Sequence, residues 1–279
     1  MLHRSVEMIG YFSSLAQMTR DIVVNWKRIV ALATFQYRLN TKDMFLGGLW
    51  KLLSSFIQIG AYWLVFGIGL RSGEPVDGIP YVVWLTCGVT PWFWLSGGVS
   101  RAASSIYSKA SMLTRSNIPT CLIPLSFVLA NTFDNLWTVA LMVVIYLGNG
   151  CLPTLSALWL IYYVICGLAF LSAVSLITST LVMLARDFQK VIQAVMRLIF
   201  FLSPVFWLPG RTLPEAFQLF DYCNPFGYII RGFRNCLLYN VSIFENWRQG
   251  IIFWVIVAVL YLIGSAFQSK MRKNLLDYL

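Results

Sequence analysis

A chain of 279 residues that is 58% hydrophobic, 16% aromatic and only 11% charged, with a mean hydropathy of +0.71, carries more apolar surface than a soluble domain buries. It reads as an all-α integral membrane protein. The net charge of +10 then reports membrane topology and attraction to anionic lipid, and nucleic-acid binding is not needed to explain it.

Residues 1–48 form a cytoplasmic leader, and 49–279 a transmembrane domain. Residues 1–42 are of mixed polarity with six basic residues, so no cleaved signal peptide is expected. Within the leader Leu15, Met18, Ile22, Trp26, Ile29 and Ala33 recur at three- and four-residue steps, between Arg20, Asp21, Lys27 and Arg28. That pattern predicts an amphipathic helix lying along the cytoplasmic membrane face, with a helix packed on protein as the alternative. A bilayer crossing needs ~20 apolar residues. Six segments qualify: 49–70, 81–104, 121–147, 155–185, 191–208 and 250–267.

The loops alternate in charge. One side receives fifteen basic residues, from Arg4 to Lys51, then Arg101, Lys109, Arg115, Arg186, Lys190, Lys270, Arg272 and Lys273; the other receives Arg71, Arg211, Arg231, Arg234 and Arg248. Positive charge marks the cytoplasm, so both termini are expected there, in a bacterial plasma membrane. Segment 209–249 is then external, yet much of it is apolar and it is interrupted at Pro225 and Gly227. A pair of short helices that dip into the outer leaflet and return is expected, because irregular backbone at membrane depth is tolerated where protein or water covers it.

Several polar groups fall inside spans. Asn131, Asp134, Asn135 and Thr138 share one face of the third span, either on a substrate route or as hydrogen-bonding contacts between helices. Gln189, Gln193 and Arg197 form a stripe running inward along the fifth, where Arg197 either meets phosphate or snorkels to the cytoplasm. Arg231 and Arg234, three residues apart, are read as meeting phosphates at the exit or snorkelling to the interface. Aromatic residues such as Trp207 form interfacial belts, a minority lining a sugar path. Between the second and third spans Ile106, Ala110 and Leu113 keep helical spacing beside Lys109 and Arg115, giving either a docking peg for a soluble partner or a simple turn. Arg186 and Asp187 suggest a helix start and docking surface, since a lone carboxylate lacks a partner for acid–base work. The single histidine, His3, and six dispersed cysteines suggest no metal site. No G-x-x-x-x-G-K-[ST] run occurs, so any ATP-driven step belongs to a separate subunit.

This arrangement resembles the permease subunits of ABC-type polysaccharide exporters. The stretches YWLVFGIGLR (62–71), VDGIPYVVW (76–84), SIYSKASMLTRSNIP (105–119), SLITSTLVMLARDFQ (175–189), QAVMRLIFFLSPVFW (193–207) and NPFGYIIRGFRN (224–235) look closer still to the teichoic acid translocation permeases of Gram-positive bacteria. The resemblance implies a homodimer with two copies of a cytoplasmic ATP-binding subunit, and ATP and Mg bound there with no cofactor on this chain. It implies a polyprenyl-pyrophosphate-linked anionic polymer as cargo. It also implies that Ile106–Pro119 is the helix contacting the ATPase, Tyr11–Val30 the interface helix and Leu213–Leu238 the re-entrant pair. O-antigen or capsule export is the neighbouring alternative, with a membrane-embedded glycan transferase or a secondary transporter further away.

Overall fold

The computed structural model describes residues 15–42, 47–70, 73–115, 118–208 and 220–273. Among these the fold is helical, and its only β-type pairing is an isolated antiparallel bridge between Val76 and Ile79. That bridge closes a two-residue turn in which Asp77 and Gly78 take φ of 50° and 79°, the left-handed geometry for which Asp-Gly is well suited.

Helix α1 covers residues 15–24 and is separated by a turn at Asn25 from α2 (Trp26–Lys42). The apolar stripe seen in the leader faces protein, except at Trp26. Met18, Ile29 and Ala33 are buried, and Leu15 and Ile22 pack with Met18 and Ile29 against Cys121, Leu122, Leu125 and Leu176. A second, outward set of Val23, Val24, Trp26, Phe35 and Leu39 remains exposed, the disposition of a helix held between a bundle and a lipid surface.

Helix α3 (Leu49–Tyr62) continues as a π-helix over Trp63–Gly69. Then come α4 (Tyr81–Ala103), the short α5 (Ser105–Ser108) and α6 (Ala110–Arg115), and α7 (Leu122–Gly148). A 3-10 turn at Leu155–Trp159 leads into α8 (Leu160–Leu184), followed by α9 (Phe188–Leu202). Helix α10 (Pro225–Arg234) passes into a π-helix at Asn235–Tyr239, and α11 runs Trp247–Lys273.

Among the described residues five helices are long and apolar enough to cross a membrane: Leu49–Gly69, Tyr81–Ala103, Leu122–Gly148, Leu155–Leu184 and Trp247–Lys270. They coincide with five of the six expected crossings. The segment expected at 191–208 forms α9 instead, whose 15 residues extend about 22 Å, short of a hydrocarbon core of about 30 Å. The helix stops because Ser203 precedes Pro204 and adopts φ −87°, ψ 150°, an extended conformation enforced by the proline ring.

Helix α4 is the hub, packed against α7, α8 and α10, and most of its length is buried. Helix α10 starts inside the bundle. Phe226 lies against Trp92 and Phe170, at ring-centroid distances of 5.7 and 4.9 Å, while Tyr239 receives a hydrogen bond from Trp84 and donates one to Asp77 at the end of α4 where the tight turn lies. Since Trp92 is about 16 Å along α4 from Tyr81, α10 runs from that depth toward the Asp77–Gly78 end of α4. Helix α10 lies in the second half of the expected re-entrant segment Leu213–Leu238, and residues 209–219, which would contain most of its first half, lie outside the described residues.

Candidate functional site

Four elements converge on one carboxylate. Asp134 is halfway along α7, Lys51 in the first turn of α3, Arg101 near the end of α4, and Asn40 near the end of α2. The Asp134 carboxylate pairs with Lys51 through one oxygen and with Arg101 through the other, and the second oxygen also accepts from Asn40 Nδ2 at 3.4 Å. Lys51 donates to Thr41 Oγ1 at 2.9 Å and its ammonium sits 4.4 Å from the centre of the Tyr37 ring. Gln36 Nε2 donates to Asn40 Oδ1 at 3.1 Å, which orients the Asn40 amide toward Asp134. Among the described residues two cations surround one anion and leave the group with an excess positive charge.

Burial is graded across the cluster. Side-chain exposure is 7% for Asp134, 14% for Lys51 and 48% for Arg101. An ionised Asp134 at that depth is stable only because both cations and an amide surround it. The groups line an open cavity of about 500 Å³ with Gln36, Trp50, Ser54, Ser104 and Asn131 among its walls.

Two other members of the α7 stripe join helices. Asn131 is buried and donates to the Trp94 carbonyl of α4 at 2.8 Å, and Thr138 shares a 2.9 Å hydrogen bond with Ser55 of α3. Asn135 is half-buried and outside the cavity. The stripe therefore both joins helices and presents Asp134 to a cavity.

The two arginines of α10 do not share a task. Arg231 pairs with Asp221 through Nη1 and donates from Nη2 to the Asp221 carbonyl at 3.1 Å. Burial pushes the Asp221 carboxyl above its usual range, with the adjacent guanidinium pulling it back. Arg234 is 3% exposed and pairs with no carboxylate among the described residues. It donates from Nε to Trp84 O at 3.3 Å, from Nη1 to Pro204 O and from Nη2 to Val205 O at 2.7 Å, and its guanidinium lies 3.4 Å from the centre of a Trp84 ring. The carbonyls of Pro204 and Val205 belong to the chain just past the end of α9, where no helical donor follows. Arg234 satisfies them, and Gly88 leaves room for it, since a Cβ there would be 2.0 Å from Nη2. Both arginines are therefore occupied by protein, contrary to the expectation that they meet external phosphates or snorkel to the interface.

Arg197 is exposed on α9. Trp207 is half-buried and donates to the Phe201 carbonyl at 3.1 Å, closing the end of the same helix.

On the opposite side, the expected docking peg is broken into α5 and α6 by a turn at Lys109, which is half-buried. Ile106 and Leu113 face inward, packed with Ile123 and Met183, so their helical spacing marks the face that anchors the peg on the bundle. The outward positions include Tyr107 and Ser108. Arg186 lies over the Tyr107 ring at 4.2 Å, tying this peg to the turn between α8 and α9. Asp187 forms a fully exposed pair with Lys190 at 3.3 Å. The Arg115 side chain lies outside the described residues.

Lys51, Arg101 and Asn40 are absent from the sequence-derived site. Each looks like an ordinary basic or polar residue beside a span, and only folding brings them to Asp134.

Comparison with known proteins agrees with this architecture. The chain is 25% identical over 252 residues to an O-antigen export system permease protein RfbA of Klebsiella pneumoniae, covering 90% of this chain and 94% of that protein. A Myxococcus xanthus protein of the same description is 24% identical over 258 residues, covering 92% and 97%. The pattern of the ABC-2 type transporter family matches residues 27–238, a stretch that includes every member of the Asp134 cluster. The chain belongs to the ABC-2 type transporter family, as a multi-pass membrane permease subunit.

Proposed function

We propose that this chain is the membrane subunit of an ATP-driven exporter of a lipid-linked surface polysaccharide of the O-antigen type. The observation that carries this reading is the end-to-end similarity to O-antigen export permeases, which spans nearly the full length of both partners. In this reading a homodimer of the chain works with two copies of a cytoplasmic subunit that binds ATP and Mg, and the chain itself performs no hydrolysis. The excess of basic residues on one set of loops supports cytoplasmic termini, with the surface made by Tyr107 and Arg186 turned toward the motor.

A polyol-phosphate cargo of the teichoic acid type is the second reading, favoured by the six stretches between Tyr62 and Asn235 that resemble teichoic acid permeases. Disruption of the gene separates the readings. Loss of surface polysaccharide with accumulation of lipid-linked polymer inside the cell is the expected result, and the phosphate content of the accumulated polymer assigns its class. Unchanged surface polymer overturns both. Co-purification of an ATP-hydrolysing subunit whose activity rises with lipid-linked polymer is the matching biochemical result.

A further inference from the structure

We propose that the cavity beside Asp134 binds the phosphate-bearing headgroup of an amphiphile at the cytoplasmic boundary of the membrane. The inference rests on the permease reading above and names the chemistry recognised there.

Charge is the first argument. Among the described residues Asp134 is the one carboxylate facing two cations, so Lys51 and Arg101 retain a surplus positive charge beside about 500 Å³ of open space. Arg101 is the more available cation. Its contact among the described residues is Nη1 with Asp134, so the rest of a five-donor guanidinium is uncommitted on a side chain that is 48% exposed. A guanidinium with donors to spare is suited to paired bonds with phosphate oxygens.

Location is the second argument. One wall is the end of α2, a helix whose outward Phe35 and Leu39 are exposed apolar residues, and another is Trp50, half exposed in the first turn of α3. A tryptophan at a helix end beside exposed apolar side chains is the signature of a lipid–water boundary. An anion that enters there carries an apolar tail alongside those residues, while Asn40 and Gln36 supply amide groups beside the headgroup.

Asp134 then acts as a resident counter-ion. It holds Lys51 and Arg101 in place when the cavity contains no ligand and competes with phosphate for them, so its removal and that of Arg101 act in opposite directions.

The test is binding of farnesyl pyrophosphate, farnesol and phosphatidylglycerol to the purified full chain in detergent, without nucleotide or polymer. Farnesyl pyrophosphate is expected to bind and farnesol to bind far more weakly. Arg101→Gln is expected to weaken the pyrophosphate by about tenfold to a hundredfold, the loss of one charge-assisted contact. Asp134→Asn is expected to tighten it several-fold. Arg101→Gln keeps the buried Lys51 pair with Asp134, so it remains informative if Asp134→Asn does not fold. Preference for the pyrophosphate over phosphatidylglycerol assigns the cavity to a diphosphate lipid anchor, and equal, Arg101-dependent binding of both assigns it to anionic lipid in general. Farnesol binding as tightly as its pyrophosphate, or Arg101→Gln binding like the unaltered protein, overturns the proposal. Because the assay contains no polymer, either overturning result leaves the export reading intact, while loss of the export reading in cells leaves the binding result standing.

Discussion

Arg234 offers the sharpest test of how the broken region is held together. Three backbone carbonyls from two separate segments converge on a guanidinium that is 3% exposed. Hydrogen bonds to a charged donor contribute about 1.5–3 kcal/mol each. Removing the donor also removes the cost of burying a charge, so the net loss for Arg234→Ala is expected at about 3–5 kcal/mol, the range for breaking a buried charged cluster. Arg234→Lys retains the charge but lacks the fork that reaches several acceptors, and should cost about half as much. Gly88→Ala leaves Arg234 untouched in sequence but places a Cβ 2.0 Å from Nη2, so it should destabilise in the same direction. The assay is the unfolding midpoint of the purified protein in detergent. At about 2–4 °C per kcal/mol for a chain of this size, Arg234→Ala should lower the midpoint by about 6–20 °C. If Arg234→Lys and Gly88→Ala both stay within about 1 °C of the unaltered protein, Arg234 is not the clamp described here.

Other expectations follow the same logic. Asp134→Leu should destabilise by about 3 kcal/mol in the same assay because it leaves two cations facing each other, and combining it with Lys51→Met should recover part of the loss; strict additivity would mean that the pair is not coupled. Asn131→Leu removes the α7 to α4 bond at Trp94 O and should cost about 1–3 kcal/mol, against no change if that contact is incidental. Asn224 caps α10 by accepting from the Phe226 amide at 3.0 Å and also donates to Ser203 at 3.0 Å, so Asn224→Ala should cost about 1–2 kcal/mol, and a neutral result would show that α10 does not depend on its cap. Arg186→Ala should reduce polymer-stimulated ATP hydrolysis of the assembled transporter while lowering the unfolding midpoint by no more than about 4 °C, since an exposed cation–π contact contributes about 0.5–1 kcal/mol; unchanged hydrolysis would remove this residue from the motor contact.

The long helices were legible because hydropathy over ~20 residues is a local property, and five of the crossings fall within a few residues of where the sequence places them. Segment 191–208 was harder. Hydropathy does not register that Pro204 forces Ser203 out of helical geometry, so an apolar run was read as continuous across a break. The stripe at Asn131, Asp134 and Thr138 was visible because a helix places these positions on one face, but its partners lie 33 to 94 residues away in the chain. Nothing local distinguishes Lys51 or Arg101 from the other basic residues that set topology. Ile106 and Leu113 illustrate a related limit. Periodicity shows that a helix has an apolar face without showing what covers it, and here the bundle itself does.

The brevity of α9 changes the dielectric geography of the molecule. Its 15 residues end at a proline-bent strand of backbone deep in the protein, and α10 starts from nearly the same level. The chain that follows is apolar, with Val205 in the core and Phe206 and Leu208 packed against it, and the carbonyls of Pro204 and Val205 are met by Arg234. The electrostatic end of α9 therefore lies inside the protein and is answered there by a guanidinium, so the level at which the helix terminates is fixed by side-chain chemistry rather than by contact with water.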